Sequence, residues 1–207
     1  MKIEQIIVGP LESNCFIVFD EIKHEALIVD PGADPDKILR FIEANKLNVN
    51  YIVCTHAHFD HIGAVAAIKE KTKANIVVHK DELEIYAGVK DQGALWGFTI
   101  QQPPQPDKLV EEGDVVRVGE LEFTVFHTPG HSPGGICLYG AGVLISGDSI
   151  FAGSVGRTDF FGGSIDALKE SFKRIMSLPV DTKILPGHGS QTTVGTEKEM
   201  NFFVHEL

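Results

Sequence analysis

At four places along this chain a short apolar run ends and passes, within a few residues, into a loop that carries histidine or aspartate. The segments are YIVCTHAHFDH (residues 51–61), FTVFHTPGH (123–131), VLISGD (143–148) and KILPGHG (183–189). Apolar, β-branched runs cut short by Gly, Pro or Asp predict strands. A strand end with small turn residues holds side chains on a rigid support and leaves room for a ligand. Four such ends predict a sheet-based fold that aims His56, His58, Asp60, His61, His131, Asp148 and His188 toward a common point.

The first cluster sets the chemistry. On a helix, His56 and His58 would face different ways. In extended backbone, residues i and i+2 face the same way and can share one metal. Asp60 and His61, at the turn into a helix predicted over residues 62–71, aim elsewhere, toward a second metal. Five imidazoles and two carboxylates suit zinc, and also iron or manganese. Taken singly, Asp148 in SGDS reads as a turn residue and His188 between glycines as a loop residue; their conjunction at four strand ends favours metal. His24 and His205 read as solvated, and His79 and His127, beside strands, as structural.

Around these motifs the runs at 3–8, 15–19 and 26–29 predict an antiparallel opening. Residues 34–45 predict a helix, with an Asp-Pro start and Ile38, Phe41 and Ile42 at helical spacing. Strands follow at 51–54 and 76–78, and a short helix at 81–87. Residues 88–106, with three glycines and three prolines, read as a long loop that walls the mouth of the site with Trp96 and Phe98. Strands at 115–118, 121–126, 136–139 and 143–146, a helix at 165–176, a strand at 183–185 and a helix at 196–205 complete the pattern. This alternation predicts an α/β (α+β layered) fold. The 207 residues carry no repeat or linker and read as a single domain.

Composition narrows the partners. Lys and Arg number 18 against 29 Asp and Glu, a net charge of −11, which argues against nucleic acid because neutralising phosphates needs a basic face. No run approaches the ~18 apolar residues of a membrane span, and the N-terminus reads as neither signal peptide nor anchor. Cys15, Cys54 and Cys137 are odd in number and lie in or beside apolar runs. They suggest no disulfide framework, and a cytoplasmic location fits them.

THAHFDH (55–61), HTPGHSPGG (127–135), SGDS (146–149) and PGHG (186–189), preceded by VDPG (29–32), stand in the order found in the metallo-β-lactamase superfamily. The chain resembles that family over nearly its whole length. The resemblance implies a four-layer αββα sandwich with a metal pair, two Zn²⁺, at one edge of its two sheets. It implies His56, His58 and His131 for the first metal, Asp60, His61 and His188 for the second, Asp148 bridging both, and Asp30 as the carboxylate behind them that orients the ligands. Two such ions would supply a hydroxide to attack a carbonyl, and the resemblance implies Asp60 and Asp148 as the catalytic carboxylates. Asp148 stands where lactamases of the family often carry a ligand cysteine, which speaks against β-lactam hydrolysis.

Within the superfamily, GSVGRTDFFGGS (153–164) and PGHGSQTT (186–193) resemble the glyoxalase II group and its short bacterial, hydroxyacylglutathione hydrolase-like relatives. The implied activity is hydrolysis of a small-molecule thioester, whose thiolate, pKa ~8.5, leaves without a strong general acid. Arg157 falls where larger enzymes place a basic residue near glutathione, so it is the candidate substrate contact. It also reads as an ion-pair partner of Asp159 in a surface loop. The alternative is a mononuclear iron persulfide dioxygenase of the same fold, which also carries GRTDF. The intact PGHG and the complete second ligand set favour hydrolysis. With 19 residues after His188 (207 − 188), the C-terminal helical domain of full-length glyoxalase II is expected to be absent. A monomer or a homodimer is expected.

Overall fold

Runs that are apolar at every position, rather than at alternate ones, suit strands covered on both faces. In the computed structural model, which describes residues 1–207, these runs build two six-stranded sheets. The first contains, in spatial order, β1 (Lys2–Val8), β2 (Ser13–Phe19), β3 (Glu25–Val29), β4 (Asn48–Val53), β5 (Asn75–His79) and β6 (Lys108–Val110). Its first three strands are antiparallel, as the sequence predicts, and β3 to β6 run parallel. The parallel crossovers carry α1 (Pro35–Ala44), then α2 (Phe59–Ile62) with α3 (Val65–Thr72), then α4 (Leu83–Ala87) with α5 (Val89–Leu95).

The second sheet begins with an antiparallel meander of β7 (Val115–Val118), β8 (Leu121–His127), β9 (Ile136–Gly140) and β10 (Val143–Gly147). A small ribbon, β11 (Ile150–Phe151) and β12 (Ser154–Val155), leads to α6 (Ile165–Met176). The chain then returns as β13 (Lys183–Pro186), parallel to β10, and closes with β14 (Thr192–Thr193) and α7 (Val194–Met200).

Period-2 alternation sorts the strand side chains into layers. Cys15, Ile17 and Phe19 of β2 and Ala26 and Ile28 of β3 face the helices of the first half. Phe16, Val18, Leu27 and Val29 face the other sheet and meet Val116, Phe123, Val125, Leu138 and Ile145. On that sheet's far side Leu144 and Ile184 pack against Leu168 and Phe172 of α6. The result is the four-layer αββα sandwich of the metallo-β-lactamase fold. Helix α6 shows why one segment reads so clearly: Ser164 caps it by accepting from the Ala167 amide at 3.3 Å, and Leu168, Phe172, Ile175 and Met176 recur on its buried face.

Several expectations need correction. The helix predicted over 62–71 is two helices, α2 and α3, and Asp60 and His61 lie inside α2. The break falls at Gly63, where a Cβ would meet the Gly32 carbonyl oxygen at 2.5 Å, so close packing on the 29–32 turn displaces the chain. Residues 88–106 are not all loop, because α5 occupies their first part. Residues 81–87 divide between a 3₁₀ turn (Lys80–Glu82) and α4, and the last helix ends at Met200, before a 3₁₀ segment (Phe202–Glu206). The two- and three-residue strands β6, β11, β12 and β14 add to the predicted set, their few positions showing no pattern in the sequence. All three cysteines are free and buried, and burial raises their thiol pKa values. No helix is long and apolar enough to cross a membrane.

Candidate metal centre

Parallel strand pairs place their carboxyl ends side by side, and two such pairs meet at one edge of the sandwich. Neighbours β3 and β4 bring Asp30 beside Thr55, whose amide donates to Asp30 Oδ1 at 2.7 Å. Neighbours β10 and β13 deliver Asp148 and His188 together, the Gly187 amide donating to the Gly147 carbonyl at 2.8 Å. His56 and His58 follow β4, Asp60 and His61 lie on α2, and His131 lies in the loop between β8 and β9. All seven candidate residues converge.

His56, His58 and His131 form one trio and Asp60, His61 and His188 another, with the donor atoms in each within 4.8 Å of one another. Asp148 lies between them, 3.4 Å from His61 Nε2 and 3.6 Å from His131 Nε2. The surrounding hydrogen bonds assign the imidazole protons. Thr55 Oγ1 donates its one hydrogen to Asp30 Oδ2 at 2.6 Å, so it accepts from His56 Nδ1 at 3.1 Å and leaves His56 Nε2 as a bare lone pair. His61 Nδ1 donates to Asp30 Oδ2 at 3.1 Å, and His131 Nδ1 to the Arg157 carbonyl at 2.8 Å. His131 Nε2 then faces His58 Nδ1 at 2.9 Å, and His61 Nε2 faces His188 Nε2 at 3.1 Å.

Electrostatics separates the trios. Burial, reinforced by neighbouring imidazoles, pushes His56 well down and His58 down to about 3. His131 also falls, chiefly through burial, although Asp148 opposes the shift. Burial pulls His61 down too, but Asp148, Asp60 and Asp30 outweigh it and hold the ring at about 10. His188 is raised, its desolvation outweighed by Asp60 and Asp148. For Asp60 desolvation acts upward, yet His61 and His188 hold the carboxyl well below its usual range.

The residues fit divalent cations. His56 Nε2 and Asp148 Oδ1 are buried polar atoms with no hydrogen-bond partner, which a folded protein rarely leaves uncompensated. The space is also kept clear of side chains: a Cβ at Gly187 would meet Asp148 Oδ1 at 2.2 Å and His61 Cε1 at 2.7 Å.

Two supports escaped the sequence. Glu82 is fully buried, and its carboxylate accepts from the Ala57 amide at 3.0 Å and the Gly134 amide at 2.8 Å. It thereby ties the loop of His56 and His58 to the loop of His131. Burial raises its pKa despite these donors. Asn14 donates from Nδ2 to the Pro186 and Gly189 carbonyls at 2.9 and 3.0 Å, stapling the PGHG loop to β2, and Ser13 Oγ donates to Asp60 Oδ2 at 3.1 Å. A buried Ser-Asn pair heading the apolar run SNCFIVF was the available signal; Glu82 offered none.

Above the donors opens a cleft of about 750 Å³ whose walls include Leu11, Leu95, Trp96, Phe151, Phe160 and Phe161. Trp96 lines it as expected. Phe98 does not: it stacks beneath Phe59 at 5.2 Å and packs toward the core. The Arg157 side chain reaches the cleft but is engaged twice by Asp159, at 2.6 Å each, and lies over the Phe160 ring at 4.0 Å. His79 and His127 stack at 4.0 Å, away from the centre.

Comparisons with known proteins agree with this architecture. A protein of Aquifex aeolicus is 44% identical over all of this chain and 99% of its own length. "Hydroxyacylglutathione hydrolase GloC" of Haemophilus influenzae is 33% identical over 99% of each chain. BLEG-1 B3 metallo-beta-lactamase superposes with a TM-score of 0.92 at 36% identity, covering 98% of this chain and 99% of that one. TTHA1623 in a di-iron-bound form gives 0.90 at 39%, covering 97% and 99%. With the metallo-beta-lactamase superfamily pattern matching residues 8–188, the chain belongs to that superfamily, whose members are generally metal-dependent hydrolases.

Proposed function

We propose that the chain is a dinuclear metal-dependent thioester hydrolase, with chemistry of the glyoxalase II kind. The observation that carries this is the set of oriented ring nitrogens. His56, His61 and His131 each have one ring nitrogen tied outward, to Thr55, Asp30 and the Arg157 carbonyl, while the other faces the centre. His56, His58 and His131 would hold one ion, Asp60, His61 and His188 a second, and Asp148 both. Zinc is the expected occupant; the same donors accept iron or manganese.

Bound ions supply Lewis acidity, lowering the pKa of a water toward neutrality and withdrawing charge from a carbonyl oxygen. The chain's residues position the rest. Asp60, fixed by Ser13, and Asp148 accept hydrogen bonds from the attacking water. Asp30 keeps the His56 and His61 rings in place through Thr55 Oγ1 and His61 Nδ1. Attack forms the C–O bond and breaks the C–S bond, one proton of the water passing by way of the carboxylates to solvent and the other leaving from the acid product, and the thiolate departs unprotonated because its pKa, ~8.5, makes it a competent leaving group. The relative named as a hydroxyacylglutathione hydrolase supports a thioester.

A second candidate is the mononuclear iron persulfide dioxygenase, and a neighbour solved in a di-iron form keeps iron in play. The complete second trio favours two ions and hydrolysis. Metal analysis of purified protein, run beside assays on S-lactoylglutathione, a β-lactam and glutathione persulfide, tests the proposal. Close to two ions per chain with thioester turnover is expected. One iron with oxygen uptake on the persulfide, or faster turnover of the β-lactam, overturns it.

A further inference from the structure

The walls of the cleft say what kind of thioester fits. Aromatic rings flank the donors on both sides: Phe160 stands edge-on to His58 at 5.4 Å, and Phe151 edge-on to His188 at 6.1 Å. Whichever way a thioester crosses the floor, the group on each side of its carbonyl meets apolar surface. Farther out, Trp96 is 53% exposed, Phe161 67% and Leu95 88%. A concave patch of large apolar side chains rising above a polar floor is a ligand-binding feature, since such groups are seldom left together in water without use.

The wall is built rather than loose. Gln92 accepts from the Phe59 amide at 2.7 Å, Leu95, three residues on, lies on that same face of α5, and Trp96, just past the helix end, joins it at the cleft. Gly93 lets the helix end close against Ile100, where a Cβ would meet Cγ1 at 2.4 Å. Trp96 is thus held between Phe59, at 6.2 Å, and Phe160, at 6.3 Å.

Charge points the same way. Apart from histidines, Arg157 is the one cationic side chain lining the cleft. Asp159 accepts from Nε and Nη2 of Arg157, and the Arg157 hydrogen bond holds that carboxyl down at about 2, so the pair is neutral as a unit. Glutathione would bring two carboxylates to a cleft whose one cationic wall residue, the imidazoles and the metal floor apart, is already paired.

We propose, resting on the thioester reading above, that the natural substrate is a thioester of a bulky apolar acyl group, aromatic or branched, on a thiol whose charge the protein does not read. The metal-loaded protein is assayed with acetyl, lactoyl, isovaleryl and phenylacetyl groups, each as the glutathione and as the uncharged N-acetylcysteamine thioester. The phenylacetyl ester is expected to exceed the acetyl ester in kcat/KM by at least about tenfold, the low end of what a hydrophobic pocket extracts from a single methylene. Exchange of glutathione for N-acetylcysteamine is expected to change kcat/KM less than about threefold. Trp96→Ala should shrink the phenylacetyl-to-acetyl ratio and Trp96→Phe should restore most of it, a change that a general loss of fold would not produce. Equal rates across the acyl series, or a tenfold advantage for glutathione, overturns the proposal while leaving the thioesterase standing. If no thioester is turned over, the thioesterase falls and this proposal with it.

Discussion

The two trios of donors meet at Asp148 but rest on different supports. His56, His58 and His131 are three buried imidazoles on loops that the fully buried Glu82 clamps together through the Ala57 and Gly134 amides. Asp60, His61 and His188 include a carboxylate, and His188 keeps 29% of its side chain exposed. Their clamp is Asn14 at the edge of the PGHG loop, reinforced by Ser13. The first trio is built into the sandwich; the second depends on one loop staying docked. Geometry at the first should survive disturbances that empty the second.

The largest effect tests the point that the trios share. Asp148→Ala removes the one carboxylate within reach of both His61 and His131. A loss of at least about a thousandfold in kcat is expected, about 4 kcal/mol of barrier, together with loss of bound metal. Retention of two ions per chain would show that the trios do not depend on Asp148.

Glu82→Ala is next, and it should strike the first trio. It leaves two buried amides without an acceptor, each worth about 1–3 kcal/mol, so roughly 2–6 kcal/mol of stability should vanish, lowering Tm by roughly 4–24 °C. Metal affinity at the first trio should fall about 10–100-fold, the usual consequence of removing a group behind the ligands. Glu82→Gln keeps an acceptor for one amide and should fall between. Competitive chelator titration with thermal melts checks both, and equal losses at the two trios would erase their distinction.

Asn14→Ala should do the converse at smaller cost. Two carbonyl contacts to the PGHG loop disappear, about 1–2 kcal/mol, and the second ion should weaken about tenfold while the first is kept. Stepwise metal removal followed by ion counting checks the order of loss.

What the sequence could and could not reveal follows the same division. Strands such as FIVF and ALIV are buried on both faces, so their unbroken apolar runs and the Gly or Asp that ends them are visible in one dimension, and so are the seven residues that converge at the sheet edge. Glu82 was invisible because its partners lie 25 and 52 residues away, in loops that meet only once both sheets have formed. The break at Gly63 and the helix over Val89–Leu95 failed for a related reason. Both depend on glycines chosen for close approach, to the Gly32 carbonyl and to Ile100, and a glycine reads as loop until its neighbour is known. Trp96 and Phe98 are two residues apart in the same apolar loop, and only packing decides which faces the cleft.

The smallest expected effect concerns the residue on which sequence and structure part most sharply. Arg157 lies in a segment that resembles a glutathione contact, yet its guanidinium is committed to Asp159 and to the Phe160 ring. Its firmest tie to either trio is its backbone carbonyl, which receives His131 Nδ1 at 2.8 Å and which any residue supplies. Exposed ion pairs contribute little, so Arg157→Ala should change kcat/KM on a glutathione thioester less than about threefold and leave metal content untouched. Arg157→Pro, which restrains the backbone itself, should disturb the first trio where Arg157→Ala does not. A thirtyfold loss in Arg157→Ala, confined to glutathione thioesters and absent with N-acetylcysteamine esters, would mean that Asp159 yields the guanidinium to substrate. The contrast between a first trio clamped by Glu82 and a second that relies on the docked PGHG loop would survive that result, but the cleft would then be reading the charge of the thiol.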